Sequence, residues 1–339
     1  MSNEIPTLHD VAFSANVSTA TVSRCLNFPD KVSEKTRRRV FAAVNKLGYL
    51  PNFGAKVMAT KRTNTIGAII PTMENSIFAR GLQAFQEELL VHGFTLLVAS
   101  SSYRPDIEEE QIKALVARGA DALLLIGYER NLEVYRFLQN QGVPALTAWA
   151  FNSSSERPSI GFDNREAMYQ MAIKVIDMGH KRLALISAQT GSNDRAKARY
   201  QGILDAMSER ALDAADLCFI ETSYGIEEGA LAFDKILSLP NRPTAVFCGN
   251  DVLAVGALRS ARKSGINVPE EISIIGFDDI ELAQVAYPAL TTVQVPHREM
   301  GRLAAQALAD LIKNGAELKS IRLETKLIFR ETVAPAVDY

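Results

Sequence analysis

From residue 65 onward the chain alternates unbroken apolar runs with stretches of helical period, and few architectures accept that alternation. The runs are IGAIIP at 66–71, FTLLVA at 94–99, DALLLIG at 121–127 and PALTAW at 144–149, with helical periods starting at Ser76, Asp106 and Asn131 between them. Strands without polar alternation are buried on both faces, which means parallel strands covered by helices on each side. After about residue 162 the rhythm restarts with RLALIS, TAVFCG and SIIGF, an architectural repeat with no repeat in the letters. The 339 residues exceed one ordinary domain, and some 275 lie beyond the first 62, enough for two lobes with substantial cores. Two doubly wound lobes side by side form a cleft at the carboxyl ends of their strands, where open α/β sheets bind ligands.

The first fifty residues follow a different rule. Thr7 is placed to cap a helix, with Asp10 three residues on completing a capping box, and Leu8, Val11, Ala12 and Ala15 fall on one helical face. Asn16 tolerates a left-handed turn, and Ser18 restarts a helix with Val22 and Leu26 inward. Thr19, Ala20, Thr21, Ser23, Arg24 and Asn27 remain outward: donors, acceptors, one cation and a small apolar surface suited to a thymine methyl. A third period follows a cap at Ser33, with Val40, Ala43, Val44 and Leu47 inward and Arg37, Arg38 and Arg39 outward, ending at Gly48-Tyr49. The expected head is an all-α helix-turn-helix unit, over 1–50, on an α/β body.

Charge supports a nucleic-acid role for that head. Residues 1–62 hold 10 Lys or Arg against 4 Asp or Glu, whereas the remainder holds 27 against 35. The whole-chain balance of −2 therefore conceals a basic head on an acidic body, an electrostatic footprint confined to one end.

LHDVA, the VSTATVSR run, VSEKTRRRV and GYLPN resemble the lactose/galactose repressor family of bacterial transcription regulators. The resemblance spans essentially the whole chain through IGAIIP, GHKRLALIS, PTAVFCGND, VPEEISIIGFDD and PALTTVQVP, in order. It implies a body of periplasmic-binding-protein type over 64–335, with crossings between lobes near 163, 291 and 320: lobe one about 64–162 plus 292–319, lobe two about 163–291 plus 320–335. It also implies that Thr19 and Ala20 choose the operator sequence. Thr7, Ser18, Thr21, Ser23, Arg24, Asn27, Lys31, Ser33, Thr36 and Tyr49 complete the expected DNA-contacting set in the head.

The resemblance makes 51–63 a hinge helix that orders on the operator and enters the minor groove, with Asn52 and Ala55 matching the pattern. Met58 stands where many relatives place an intercalating leucine, and methionine is among the wedges that unstack a base step. Gly54 costs about 1 kcal/mol of helix propensity against alanine, which favours a hinge that forms only on DNA. A plain linker is the alternative reading of this segment.

Residues expected to face a small effector come from strand ends. Asn75 and Phe78 follow the first strand, Ser101 and Tyr103 the second, and Trp149 ends the fourth. In the second lobe Asp163 and Asn164 sit at the first crossing, Arg195 and Arg199 open a helix, and Tyr224, Asn250 and Asp278 terminate later elements. Asp163, Arg199, Tyr224, Asn250 and Asp278 carry over from the family by position. The duller alternatives are core positions for Phe78 and Trp149, an Asx-turn for Asp163 and Asn164, helix caps for Asn250 and Asp278, and a solvated face for the arginines.

ENSIFARGLQ and SSSYRPDIEEEQ resemble the gluconate-responsive branch, and two arginines suit a carboxylate, so a sugar acid is the expected effector, with neutral sugars and nucleobases open. No cofactor or metal is expected: the chain lacks GxSxG, GxxxxGK, GxGxxG and HExxH, and His9, His92, His180 and His297 are scattered, which speaks against an enzyme. MSNEIPTLHD lacks the features of a secretory signal, no apolar run approaches a membrane span, and Cys25, Cys218 and Cys248 fit a reduced cytoplasm. The expectation is a cytoplasmic, effector-responsive repressor that binds a palindromic operator as a homodimer. A sugar-binding protein without a regulatory role and an α/β enzyme are the alternatives.

Overall fold

Thr7 opens the first helix as the sequence requires. In the computed structural model, which describes residues 5–50, 62–74 and 76–336, its hydroxyl accepts the Asp10 amide at 3.3 Å while the Asp10 carboxylate accepts the Thr7 amide at 2.8 Å. The chain divides into two units, residues 1–63 and 64–339. In the first, α1 (Leu8–Ala15) ends at Asn16 with φ of 49°, Ser18 caps α2 (Thr19–Asn27), and Ser33 caps α3 (Glu34–Leu47), which stops at Gly48. A 3-10 turn at Pro29–Lys31, unmarked by any apolar period, joins α2 to α3. Val11, Ala12, Ala15, Val22, Cys25, Val40 and Ala43 close the core.

One expectation for the head is corrected. Arg39 does not point free into solvent beside Arg37 and Arg38; its guanidinium donates to the carbonyls of Ala15 and Asn16. It therefore satisfies the orphan carbonyls at the end of α1 and ties α3 to the turn before α2.

The second unit holds two parallel sheets. Strands β1 (Thr65–Ile70), β2 (Thr95–Ser100), β3 (Ala122–Ile126), β4 (Ala145–Ala148) and β5 (Ser159–Gly161) form one with the order 2-1-3-4-5. Helices α4 (Ser76–Val91), α5 (Pro105–Ala117) and α6 (Leu132–Gln141) connect its strands. The second sheet has β6 (Leu183–Ser187), β7 (Cys218–Glu221), β8 (Ala245–Cys248) and β9 (Ser273–Ile275) in the order 7-6-8-9. Its helices are α7 (Asn164–Asp177), α8 (Asp194–Glu209), α9 (Ile226–Leu237), α10 (Asp251–Lys263) and the short α11 (Glu281–Val285). The sequence reading missed β7 because it is an edge strand, only half-buried and ending in a charged Glu221.

Strand β10 (Thr292–Gln294) returns the chain to the first lobe, where α12 (His297–Asn314) packs on α4. The crossing expected near 320 comes later. Strand β11 (Ile321–Arg322) adds to the first sheet beside β5, and Leu323 still donates to the Gly161 carbonyl at 2.7 Å. Only then does the chain turn back through β12 (Lys326–Ile328), antiparallel to β10, to reach Thr332, which accepts the Ile274 amide. Main-chain pairing, invisible in so short a run, decides that boundary.

Both sheets reverse direction next to their first strand, between β1 and β3 and between β6 and β8. Such switch points leave a crevice beyond the carboxyl ends of the strands.

Candidate functional site

The crevice is lined from both lobes. Ile77, Phe78, Tyr103, Trp149 and Phe162 come from the first, with Asn164, Asn193, Arg195, Arg199, Tyr224, Asn250 and Asp278 from the second, around a narrow cavity. Nine of the residues expected to contact an effector, from Phe78 to Asp278, thus meet in one cavity although they are spread over 200 positions of sequence. A second, larger space opens outside it, lined by hydroxyl residues such as Thr72, Ser102, Thr222 and Ser223. The Tyr103 and Tyr224 rings, 5.5 Å apart, belong to both.

Three side chains in the cavity carry unmet hydrogen-bonding capacity. Asn164 donates its amide to the Trp149 carbonyl at 3.0 Å, leaving Oδ1 buried without a partner. Asn250 accepts the Leu253 amide at 2.9 Å as the cap of α10, leaving Nδ2 unpartnered, and the Tyr224 hydroxyl has no partner either. A buried polar group left so costs about 1–3 kcal/mol, which makes this cavity a candidate ligand site. The helix-cap explanation for Asn250 is correct for one of its amide atoms and silent about the other.

Charge is concentrated on the same wall. Asp278 is buried, and burial pushes its carboxyl up to about 7 against the opposing pull of Arg199 and Arg195. Its neighbour Asp279 is spoken for, paired with Arg330 at 2.7 Å and accepting from Gln294 at 2.8 Å. Arg199 lies 4.4 Å above the Phe277 ring and gives Nη1 to the Gly249 carbonyl at 2.6 Å. Arg195 gives Nη1 to the Ile126 carbonyl at 3.0 Å. Burial also raises the Tyr103 phenol, so it stays protonated.

Backbone strain clusters here as well. Ser102, Tyr103, Trp149, Asp278 and Asp279 all have left-handed φ, between 52° and 108°. Non-glycine residues in that region cost of order 1–3 kcal/mol each and persist where surrounding structure over-determines them, typically at functional sites.

Two expected residues fall outside the cavity lining. Ser101 is buried in the turn after β2, its amide on the Ile70 carbonyl and its carbonyl accepting from Arg104. Asp163 caps α7, its Oδ1 accepting the amides of Arg165 and Glu166 at 3.0 Å each, as the turn alternative expects. Asn75 lies outside the described residues, as do Asn52, Ala55 and Met58. Sequence reasoning missed Asn193, whose signal was available: an Asn-Asp pair before a helical run is a cap, and its Oδ1 accepts the Ala196 amide at the mouth of the cavity.

In the head, Thr19, Ala20, Arg24 and Asn27 are exposed along α2. Ser18 and Thr21 are hydrogen-bonded to each other at 2.9 Å, and Asn27 donates to the Ser23 carbonyl at 2.9 Å. Ser33 donates to the Thr36 hydroxyl at 3.0 Å, and the Lys31 ammonium sits 5.2 Å from the Phe28 ring. Tyr49 is 7 % exposed and packs in the head's core.

Comparison with known proteins agrees with this geometry. Residues 7–52 match the sequence model of the bacterial regulatory proteins of the lacI family, and residues 174–333 that of a periplasmic binding protein-like domain. The chain is 34 % identical over 310 residues to the HTH-type transcriptional repressor CytR of Escherichia coli (strain K12), covering 90 % of this chain and 89 % of that one. It is 32 % identical over 330 residues to the NTD biosynthesis operon regulator NtdR of Bacillus subtilis (strain 168), covering 97 % and 100 %. Its fold superposes on the lac repressor dimer bound to operator and the anti-inducer ONPF with a TM-score of 0.86, at 26 % identity, over 98 % of this chain and 100 % of that one. The helix-turn-helix head, the two-lobed body and these full-length matches together place the chain in the lacI family of bacterial transcription regulators.

Proposed function

We propose that the protein is an effector-controlled repressor that binds a pseudopalindromic operator as a homodimer in the cytoplasm, placing α2 of each head in a major groove. Exposed Thr19 and Ala20 are its base-reading residues, with Thr7, Ser18, Thr21, Ser23, Arg24, Asn27, Lys31, Ser33 and Thr36 positioning the backbone and Asn52, Ala55 and Met58 acting from the hinge. The lac repressor, solved as a dimer on operator, supports the assembly by likeness. A gel-shift titration tests it: the chain retards one short palindrome with a steep salt dependence, and Met58→Gly lowers that affinity. Equal affinity for random duplex overturns the reading.

The effector we infer is a small polyhydroxylated molecule held between the lobes. One observation carries this: Asn164 Oδ1, Asn250 Nδ2 and the Tyr224 hydroxyl are buried, unpartnered and share one cavity with aromatic walls. A gluconate-like sugar acid would balance Arg195 and Arg199. A neutral sugar competes with it, because both guanidiniums already spend a terminal nitrogen on the carbonyls of Ile126 and Gly249. Thermal shift separates them. Ligand at about 100 times its dissociation constant adds about 2.7 kcal/mol, so gluconate and neutral sugars run in parallel give a clear difference, and a flat response to aldonates removes the acid.

A further inference from the structure

His297 touches the effector wall from behind. It is buried at the first position of α12, directly after the return strand β10, and is not among the residues that line the cavity. Its Nδ1 accepts the Trp149 indole N–H at 3.2 Å, and its Nε2 lies 3.2 Å from the Asp278 carbonyl. An indole nitrogen can only donate and a carbonyl can only accept, so the ring is held as the neutral Nε2–H tautomer with both nitrogens in use. A second proton on Nδ1 would oppose the indole N–H, and burial independently drives the imidazole down to about 4.

The two partners are unusual. Trp149 belongs to the first lobe and Asp278 to the second, both line the cavity, and both have left-handed φ, 60° and 108°. Trp149 also leans on α4 where that helix can least yield. A Cβ at Gly81 would stand 2.5 Å from the indole Cζ2, and a Cβ at Gly301 of α12 would stand 2.0 Å from the Gly81 carbonyl oxygen. The indole edge meets Phe78 at 5.4 Å on the same helix, and the Trp149 amide donates to Met300 Sδ at 3.2 Å. One side-chain path from Asp278 to α4 thus runs through the imidazole and the indole, beside the direct backbone packing of α12 on α4 at Gly301 and Gly81.

We propose that His297 is a positioning residue of the effector site, which holds Trp149 and the strained Asp278 backbone in register and passes a displacement of Asp278 to α4. Ligand that engages the Asp278 carboxylate shifts the carbonyl gripped by His297, and the indole carries that shift onto Gly81 and Phe78. This rests on the cavity being the effector site, but its test involves neither effector nor operator.

The test compares His297→Gln and His297→Leu in the full chain. Glutamine keeps one acceptor and one donor; leucine keeps bulk and neither. Trp149 is the chain's sole tryptophan, so its fluorescence reports the site without further labelling. His297→Leu is expected to raise acrylamide quenching of Trp149 at least twofold and to speed amide exchange in the first half of α4 about tenfold, with His297→Gln close to the parent. Trp149→Phe removes the indole donor, so adding His297→Leu to it should leave α4 exchange unchanged. The proposal is overturned if glutamine and leucine perturb alike, if neither moves quenching or exchange, or if leucine retains its full effect on α4 with phenylalanine at 149.

Discussion

The Tyr128 amide nitrogen lies 2.6 Å from the Asp194 carboxylate, so the end of β3 in one lobe is bonded to the first turn of α8 in the other. Arg195 adds its bond to Ile126, and Asp194 Oδ1 accepts from Arg195 at 3.2 Å, closing a clasp across the cleft. Gly127 makes room for it: with φ of 72°, a Cβ there would stand 2.1 Å from Arg195 Nη1 and 2.4 Å from Asp194 Oδ1. Hydrogen bonds to charged groups contribute about 1.5–3 kcal/mol, so Asp194→Ala and Gly127→Ala should each shift the cleft toward open by tenfold or more. Small-angle scattering of the unliganded protein should give a larger radius of gyration for both variants, and unchanged curves would dismiss the clasp.

Stability should depend on pH through buried groups that act in opposite directions, among them His297 and Asp278. His297 falls from the usual 6.5 to about 4, so the unfolded chain takes up its proton first, and the stability its neutral form confers is complete above pH 6.5 and lost as pH falls toward 4. Asp278 rises from 3.8 to about 7, so its contribution is complete below pH 3.8 and lost as pH rises through 7. Every tenfold difference in proton affinity between the folded and unfolded chain is worth roughly 1.4 kcal/mol. Asp278→Asn removes the second dependence and also relieves the buried Asp251 carboxyl, which the Asp278 charge helps to raise, so both changes act in the same direction. Urea denaturation of that variant should show stability climbing more steeply than in the parent between pH 4 and 6.5, whereas parallel profiles would count against a buried, titrating Asp278.

Arg39 offers a test of the corrected role. Its bonds to the Ala15 and Asn16 carbonyls join α3 to α1, so Arg39→Ala should accelerate amide exchange in α1 about tenfold. Operator affinity should fall with the head's rigidity while the slope of log affinity against log salt stays put. A phosphate-binding arginine would instead reduce that slope by about 0.9, and this outcome would return Arg39 to the DNA surface.

Thr19 and Arg24 are both exposed on α2 but should behave differently on DNA. Substituting Thr19 or Ala20 should redirect sequence preference, with about 1–3 kcal/mol at the base concerned, and leave the salt slope alone. Arg24→Ala should weaken binding evenly across sequences and lower the slope by about one. Selection from a randomised half-site, run at two salt concentrations, checks both.

Local order was legible in the chain because its causes are local. The capping box of Thr7 and Asp10, the left-handed Asn16, the caps at Ser18 and Ser33 and the buried strands each depend on residues within a few positions of one another. Most of the cavity wall was legible too, since switch-point architecture sends strand ends to one crevice, and Phe78, Tyr103, Trp149, Asn164, Arg195, Arg199, Tyr224, Asn250 and Asp278 lie at or near such ends. Arg39 was misjudged, and Ser101 and Asp163 fall outside the cavity lining, for a common reason: residue type and position fix what a side chain can do, while its actual partner depends on what packs against it.

Sequence by itself therefore determined the head's three helices, most strands and helices of the two parallel-sheet lobes, and the family. Only the tertiary structure decided that β11 stays with the first lobe, that Asp279 is taken by Arg330 and Gln294, and that His297 joins two strained residues 148 and 19 positions away. Those outcomes rest on contacts between distant segments, where a few ångströms of packing choose among partners that are equivalent in the letters.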